Sequence, residues 1–406
     1  MSRGSFYRSA GAALTLMTGA ACSPQGTAPL PLAFAAGTPA STQLAITPTS
    51  IAWQEQARSL VAERGMSPLA AARVFAALSV AQFRAVKAAN ADEGGVLLAS
   101  GVGSGGRSAL EAQRGAVAGA SAQVLAFFFP TAAAAFEIRV AAEANAPPGQ
   151  VHPQFTRGVA LGRSAGDAVV ESCKNDGFTT PWTGSVPAGP GKWIANGPPA
   201  GATFGGVNPW LLTSGAQFRS APPPAWESSA FLADAAEIRS LSDSRTTEQR
   251  DMAVYWNFPT GTYTPVGYWN AVAGDYIRQH GLDERAATRI LAVTNAAMMD
   301  ALIGCWDAKY HYWVLRPSQA DAAITLTFGL PNHPSYPSGH SCQSAAAATV
   351  LATFFPDRAT EVEGWLTEAG LSRMYAGIHY RFDIIAGEVL GRAVGRWAIA
   401  HADALE

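Results

Sequence analysis

Charge is scarce in this chain. Of its 406 residues only 14% are charged, the formal net charge is −2, and lysine stands only at Lys87, Lys174, Lys192 and Lys309. So near-neutral a chain has no basic surface for a polyanion, which excludes nucleic acid as a partner. Cysteine is equally sparse, at Cys22, Cys173, Cys305 and Cys342, too few for a disulfide scaffold. No cluster of membrane-length apolar runs is visible. Disorder is excluded as well, because 48% of the residues are hydrophobic and can build a large core.

The N-terminus reads as an export signal over 1–22. Arg3 and Arg8 make a basic start, and an apolar stretch from Ser9 to Ala21 is too short to span a bilayer. Gly19-Ala20-Ala21-Cys22-Ser23 resembles a bacterial lipoprotein cleavage site, with Gly19 where Leu is usual. The chain is therefore expected to be exported, as a periplasmic protein or one held at the outer membrane by a lipid on Cys22. That lipid would be its only membrane link. Residues 23–48, with Pro24, Pro29, Pro31 and Pro39, read as a tether.

The remainder predicts an all-α protein. Ala-rich segments with helical periodicity occur near 52–90, 107–145, 156–173, 229–241, 264–279, 283–315, 340–355, 360–376 and 383–403. Ser67-Pro68 and Asp283 are start signals. Residues 174–225 are dense in Gly, Pro and Trp and read as a long irregular excursion, a usual cover for a site.

A faint duplication runs through the helices. Arg73–Ala81 echoes Arg289–Ala297, Val124–Pro130 echoes Val350–Pro356, and Gly158–Gly166 echoes Gly387–Gly395, in the same order. Two related four-helix bundles packed together are expected, each with small residues where helices approach closely. An N-terminal half, 49–250, would be scaffold and would contain the excursion. A C-terminal half, 251–406, would hold the site, and oligomers are compatible with this plan.

Three blocks in 309–383 carry the chemistry. Lys309 is followed after six residues by Arg316-Pro317, then Pro337-Ser338-Gly339-His340, then Ser372-Arg373 with His379 and Asp383 behind. Ser338 is placed to cap a helix, so that its hydroxyl and the free first-turn N–H groups can face an anion. Gly339 lets backbone approach closely, and His340 would stand at the mouth as an acid–base. His379 and Asp383, four apart, would share a helix face, the carboxylate holding Nδ1–H and leaving Nε2 free. Lys309 and the arginines, if buried, have an oxyanion as their one inexpensive partner.

Together these blocks resemble the signature of the vanadium-dependent haloperoxidase / type 2 phosphatidic acid phosphatase (PAP2) superfamily, all eleven fixed positions being present. The resemblance implies a vanadate cofactor, or phosphate in the same place. Lys309, Arg316 and Arg373 would bind its oxygens with help from Ser338 and the Gly339 N–H. It makes His379 either the axial vanadium ligand or a phosphorylated nucleophile, His340 the general acid–base, and Asp383 the orienting carboxylate.

Two chemistries share such a pocket. A haloperoxidase would take hydrogen peroxide and halide, and a phosphatase would take a phosphate ester through a phosphohistidine. An inactive anion binder is the third reading, and it leaves His340 and Asp383 without purpose. The long duplicated body leans towards haloperoxidase. So does Trp306, which resembles a Trp near the vanadate. His333 resembles the His of bromide- and iodide-using members at a position where chloride-using members carry an aromatic. Each has a plainer alternative: Trp306 as core and His333 as a loop residue before Pro334. Cys305 and Cys342 flank motif residues and are expected to be buried free thiols.

Overall fold

Helices start where the sequence supplies an acceptor for the first-turn N–H groups. Asp283 accepts from Ala286 N–H, Ser338 from Ser341 N–H and Ser228 from Phe231 N–H. In this computed structural model the described residues are 48–100, 105–145 and 151–406, and for 93–100 and 105 the backbone alone. The export segment, Cys22 and the tether to residue 47 lie outside them.

The order is α1 (Thr49–Glu63), α2 (Pro68–Ser100), α3 (Gly105–Phe128), α4 (Ala133–Ala144), α5 (Pro153–Lys174), α6 (Ser229–Asp243), α7 (Thr247–Tyr255), α8 (Thr264–Gln279), α9 (Glu284–Tyr312), α10 (Pro317–Ala320), α11 (Gly339–Phe354), α12 (Ala359–Tyr375) and α13 (Arg381–Ala400). Among the described residues there is no strand, only one isolated bridge between Lys192 and Val314. Helix α7 is absent from the periodicity reading. Its signal is polar rather than apolar, a capping box in which Thr246 accepts from Gln249 N–H and Gln249 Oε1 accepts from Thr246 N–H.

Two sets of four helices repeat. Helices α3 and α11 each end before a Phe-Pro pair, and Phe129 (φ −131°, ψ 63°) and Phe355 (φ −129°, ψ 72°) take the same turn. A 3-10 turn follows in both, Pro130–Ala132 or Pro356–Arg358, and then α4 or α12. Helices α5 and α13 pack back on α3 and α11 through glycines spaced by four. A methyl on Gly162 would lie 2.1 Å from the Ala116 carbonyl oxygen, and one on Gly391 2.1 Å from that of Cys342. Only glycine permits helices this close. We propose that duplication produced the pair, with the two halves dividing near residue 250.

Helices α2 and α9, the first of each set, pack on each other at the centre. Both are long and apolar enough to cross a membrane by length and composition, yet 83% and 89% of their most apolar windows are buried within the protein. The excursion 174–225 lies against α9 and the loop that follows it. Asp300, fully buried on α9, accepts the N–H groups of Trp210 at 2.8 Å, Leu211 at 2.8 Å and Leu212 at 3.1 Å.

Burial pushes the Asp300 carboxyl up to about 7 in spite of these three donors. Asp300→Asn is expected to destabilise by roughly 1–3 kcal/mol, because its NH2 faces donors and strands at least one N–H. Denaturant unfolding reads this directly. Since the folded value is raised from 3.8, the carboxyl's contribution is full below about pH 4 and is lost as pH rises through about 7. Wild type should therefore lose more stability than the variant over that interval.

Candidate active site

The last turn of α9 and the loops before α11 and α13 converge on one buried cluster. Lys309 projects from α9, which ends at Trp313 in the left-handed conformation (φ 58°). That strained turn redirects the chain to Arg316. The loop 333–338 includes a cis Tyr336–Pro337 bond and delivers Ser338 to the start of α11. Trp306, one turn before Lys309, closes the floor: its ring is 5.6 Å from Lys309 Nζ and 5.0 Å from the His333 ring. A methyl on Gly339 would meet it at 3.1 Å. Trp306 is thus both core and site wall.

Lys309, Arg316, Ser338 and Asp383 are fully buried, and Arg373 and His379 are 1% and 3% exposed. The spacing of His379 and Asp383 predicts a shared helix face, and here the structure differs. His379 lies in the loop before α13, and Asp383 sits in that helix's first turn. The carboxylate reaches back, as first-turn acids do, so that Asp383 Oδ2 accepts the Tyr380 N–H at 3.1 Å and meets His379 Nδ1 at 2.8 Å. Nδ1 therefore carries the proton. Nε2 keeps its lone pair and lies 3.2 Å from Arg316 NH1, which donates to it.

The cations also differ from expectation. Their donors are engaged, although their charge is not balanced. Lys309 Nζ donates to the carbonyls of Pro334 at 2.9 Å, Ser335 at 2.7 Å and Pro337. Arg316 donates to the carbonyls of His333 and Ile378 and to His333 Nδ1 at 3.0 Å. Arg373 donates to Ser372 Oγ and to the Ala253 carbonyl. Backbone carbonyls satisfy N–H geometry but carry no net charge. Three buried cations stand against the single Asp383 carboxylate, a surplus of two positive charges (three minus one). As placed, Lys309 supplies field more than a free donor. An anion can gain hydrogen bonds from Lys309 or Arg316 only by displacing a carbonyl or His379.

Titration follows from this crowding. Burial, with mutual repulsion against Arg316, lowers Lys309 to about 8 and Arg373 to about 9, and Arg316 itself falls to about 10. Burial and the same cations hold His333, His340 and His379 well below their ordinary value, so all three are neutral. Burial raises Asp383 to about 6, against the opposing pull of Ser335 and Lys309.

Sequence reasoning missed three participants. Ser335 Oγ donates to Asp383 Oδ2 at 2.5 Å and steadies the carboxylate that steadies His379. The other two are carbonyls of the overlooked α7 region. Ala253 anchors Arg373, and Trp256 lies 2.8 Å from His340 Nε2. His340 must therefore donate from Nε2, which leaves Nδ1 as its basic atom. The Ser-Tyr beside Pro337 is a weak signal for Ser335, and a carbonyl leaves none.

The donor set fits a tetrahedral oxyanion better than a metal cation. Among the described residues no group of three His, Cys, Asp or Glu side chains could hold a metal, and the cations here would repel one. An oxyanion instead meets a net positive pocket, the capping Ser338, the α11 N-terminus and one imidazole lone pair.

Residues 288–404 match the PAP2 superfamily. A non-specific acid phosphatase of Salmonella typhi is 44% identical over 59 residues, 14% of this chain and 23% of that protein. A vanadium-dependent bromoperoxidase of Ascophyllum nodosum is 33% identical over 95 residues, 16% of this chain and 17% of that protein. The chain thus aligns with less than a quarter of these curated relatives' length. Among solved structures, a bacterial vanadium-dependent iodoperoxidase superposes with a TM-score of 0.72 at 23% identity, over 88% of this chain and 97% of its own. A bacterial vanadium-dependent chloroperoxidase gives 0.63 at 14%, over 81% and 93%.

Proposed function

We propose that this chain, which carries a PAP2 superfamily region at 288–404 and has the fold of the bacterial vanadium-dependent haloperoxidases, is a vanadate-dependent haloperoxidase-like enzyme that oxidises bromide or iodide with hydrogen peroxide. The observation that carries this reading is the surplus of two buried positive charges around an imidazole whose Nδ1 is tied to a carboxylate. Bound vanadate supplies a Lewis-acid centre that polarises peroxide towards attack by halide.

The chain's own residues do the rest. His379 offers Nε2 as the ligand, and Asp383, held by Ser335, keeps the proton on Nδ1. Arg316, Arg373 and Lys309 offset the oxyanion's charge, with the Ser338 hydroxyl and the Gly339 N–H beside it. His340, anchored to the Trp256 carbonyl, takes and returns a proton at Nδ1. Burial first, and then the Arg373 charge, keep that ring neutral and able to accept. His333 lies against Arg316 and Trp306, and its resemblance to the His of bromide- and iodide-using members is what favours those halides over chloride in this reading. The basic-apolar start of the chain supports export.

A second reading is a phosphomonoesterase working through phospho-His379, favoured by the local identity to the acid phosphatase. The test uses phosphate-free protein with and without vanadate, assayed for bromide and iodide oxidation by peroxide and for aryl phosphate hydrolysis. Halide oxidation that requires vanadate is the expected result. Hydrolysis that vanadate abolishes, with no oxidation gained, would sink the proposal in favour of the second reading.

A further inference from the structure

Helix α12 grips the end of α7 at two points. Arg373 donates to the Ala253 carbonyl at 2.8 Å, and Glu368, also on α12, accepts the Trp256 indole N–H at 2.9 Å. The Trp256 carbonyl in turn accepts from His340 Nε2 at 2.8 Å. Glu368, Trp256 and His340 thus form one chain from α12 to the pocket, running through both the ring and the backbone of Trp256.

The chemistry above gives Glu368 no part. It is a half-buried carboxylate, and among the described residues it has no ion pair and no hydrogen bond besides the indole's. Trp256 is fully buried, so its N–H has no solvent within reach and depends on that acceptor. The backbone beyond Trp256 does little to hold it. Helix α7 ends there, and Phe258 and Thr264 follow in left-handed conformations (φ 41° and 68°) that such residues adopt only under constraint. Tyr255, Phe258, Tyr268 and Trp269 pack around the ring. Those contacts position its faces, whereas the hydrogen bond decides which edge meets α12.

We propose that Glu368 is a positioning residue for the acid–base: by holding Trp256 it keeps in place the carbonyl that anchors His340 Nε2, and so leaves Nδ1 to take the proton. Without Glu368 the indole N–H turns towards another acceptor, the strained end of α7 relaxes, and the carbonyl withdraws from His340. The imidazole then loses its alignment. His379, Lys309 and Arg316 keep theirs, because their anchors lie outside α7.

The inference rests on His340 as the acid–base of the reading above, but one of its two measurements needs no turnover. In the full chain carrying isotope-labelled histidine, nuclear magnetic resonance reads how fast the His340 Nε2 proton exchanges with water, its signal assigned by loss in His340→Asn. Glu368→Ala should speed that exchange by about tenfold and lower kcat by about tenfold, within the hundredfold that a misplacement of about 1 Å costs. Vanadate affinity should stay close to that of wild type. Glu368→Gln keeps an oxygen acceptor and should match wild type in both readings. Trp256→Phe removes the donor, leaves a ring among the aromatics and should behave as Glu368→Ala, so the result does not hang on one variant folding. Exchange unchanged in Glu368→Ala and Trp256→Phe would overturn the proposal. So would faster exchange with kcat unchanged, or a Glu368→Gln as impaired as the alanine. If wild type oxidises no halide, kcat is read on aryl phosphate and the exchange measurement stands as it is.

Discussion

Asp383→Asn is expected to cut turnover by roughly 10–100-fold, the scale on which a ligating imidazole loses its supporting carboxylate. Asp383 accepts from His379 Nδ1 at 2.8 Å. The same oxygen accepts the Tyr380 N–H and the Ser335 hydroxyl, so the asparagine oxygen keeps that place. The amide then accepts from Nδ1 without the negative charge that strengthens Nε2 as a ligand and balances the neighbouring cations. Vanadate affinity should fall by about 10–100-fold. Far-ultraviolet circular dichroism should be unchanged, because the substitution conserves volume.

The same carboxylate sets an acid limb. Burial first, with Ser335 and the cations opposing, places Asp383 at about 6, raised from 3.8. Its contribution to folding is therefore full below about pH 4 and is lost as pH rises through about 6. Oxyanion binding runs the opposite way: the ionised form holds His379, so wild-type affinity should decline as pH falls through about 6. In Asp383→Asn the affinity, already low, should be flat across that range. Isothermal titration at several pH values separates the two profiles.

Gly391→Ala is the structural counterpart and is expected to cost about 3 kcal/mol or more. The added methyl would lie 2.1 Å from the Cys342 carbonyl oxygen and 2.8 Å from Ala345 Cβ. Neither contact is a flexible side-chain tip, so α13 must separate from α11. The effect reaches the site because the Asp383 carbonyl accepts the Ser338 N–H at 2.9 Å, tying the starts of those two helices together. Gly364→Ala is the control. Nothing lies within 4 Å of a methyl there, and alanine should be neutral or stabilise by up to about 1 kcal/mol. Urea midpoints for both variants decide the matter, and equal midpoints would refute the close-packing account.

Much of this molecule is written in side chains and was legible for that reason. Ser338 as a cap, Gly339 against a neighbour and the Gly158–Gly166 and Gly387–Gly395 ladders each follow from what a residue type can do. The same holds for the convergence of Lys309, Arg316, Arg373, His340, His379 and Asp383. What escaped is carried by backbone or by direction. Carbonyls of Pro334, Ser335, Pro337, Ala253 and Trp256 take donors that the sequence assigns to an anion, and any residue can supply a carbonyl. Helix α7, which contributes Ala253 and leads into Trp256, has little apolar periodicity. His379 four residues before Asp383 fits one helix, but the pair is made by a first-turn carboxylate reaching back to a loop.

The central claim is that His379 Nε2 ligates an oxyanion in a pocket carrying surplus positive charge. X-ray absorption on phosphate-free protein with one equivalent of orthovanadate tests it most directly. The account predicts a single bound vanadium with one nitrogen neighbour, and loss of that nitrogen in His379→Ala. A vanadium shell of oxygens alone in wild type, or a spectrum unchanged by the substitution, would contradict it.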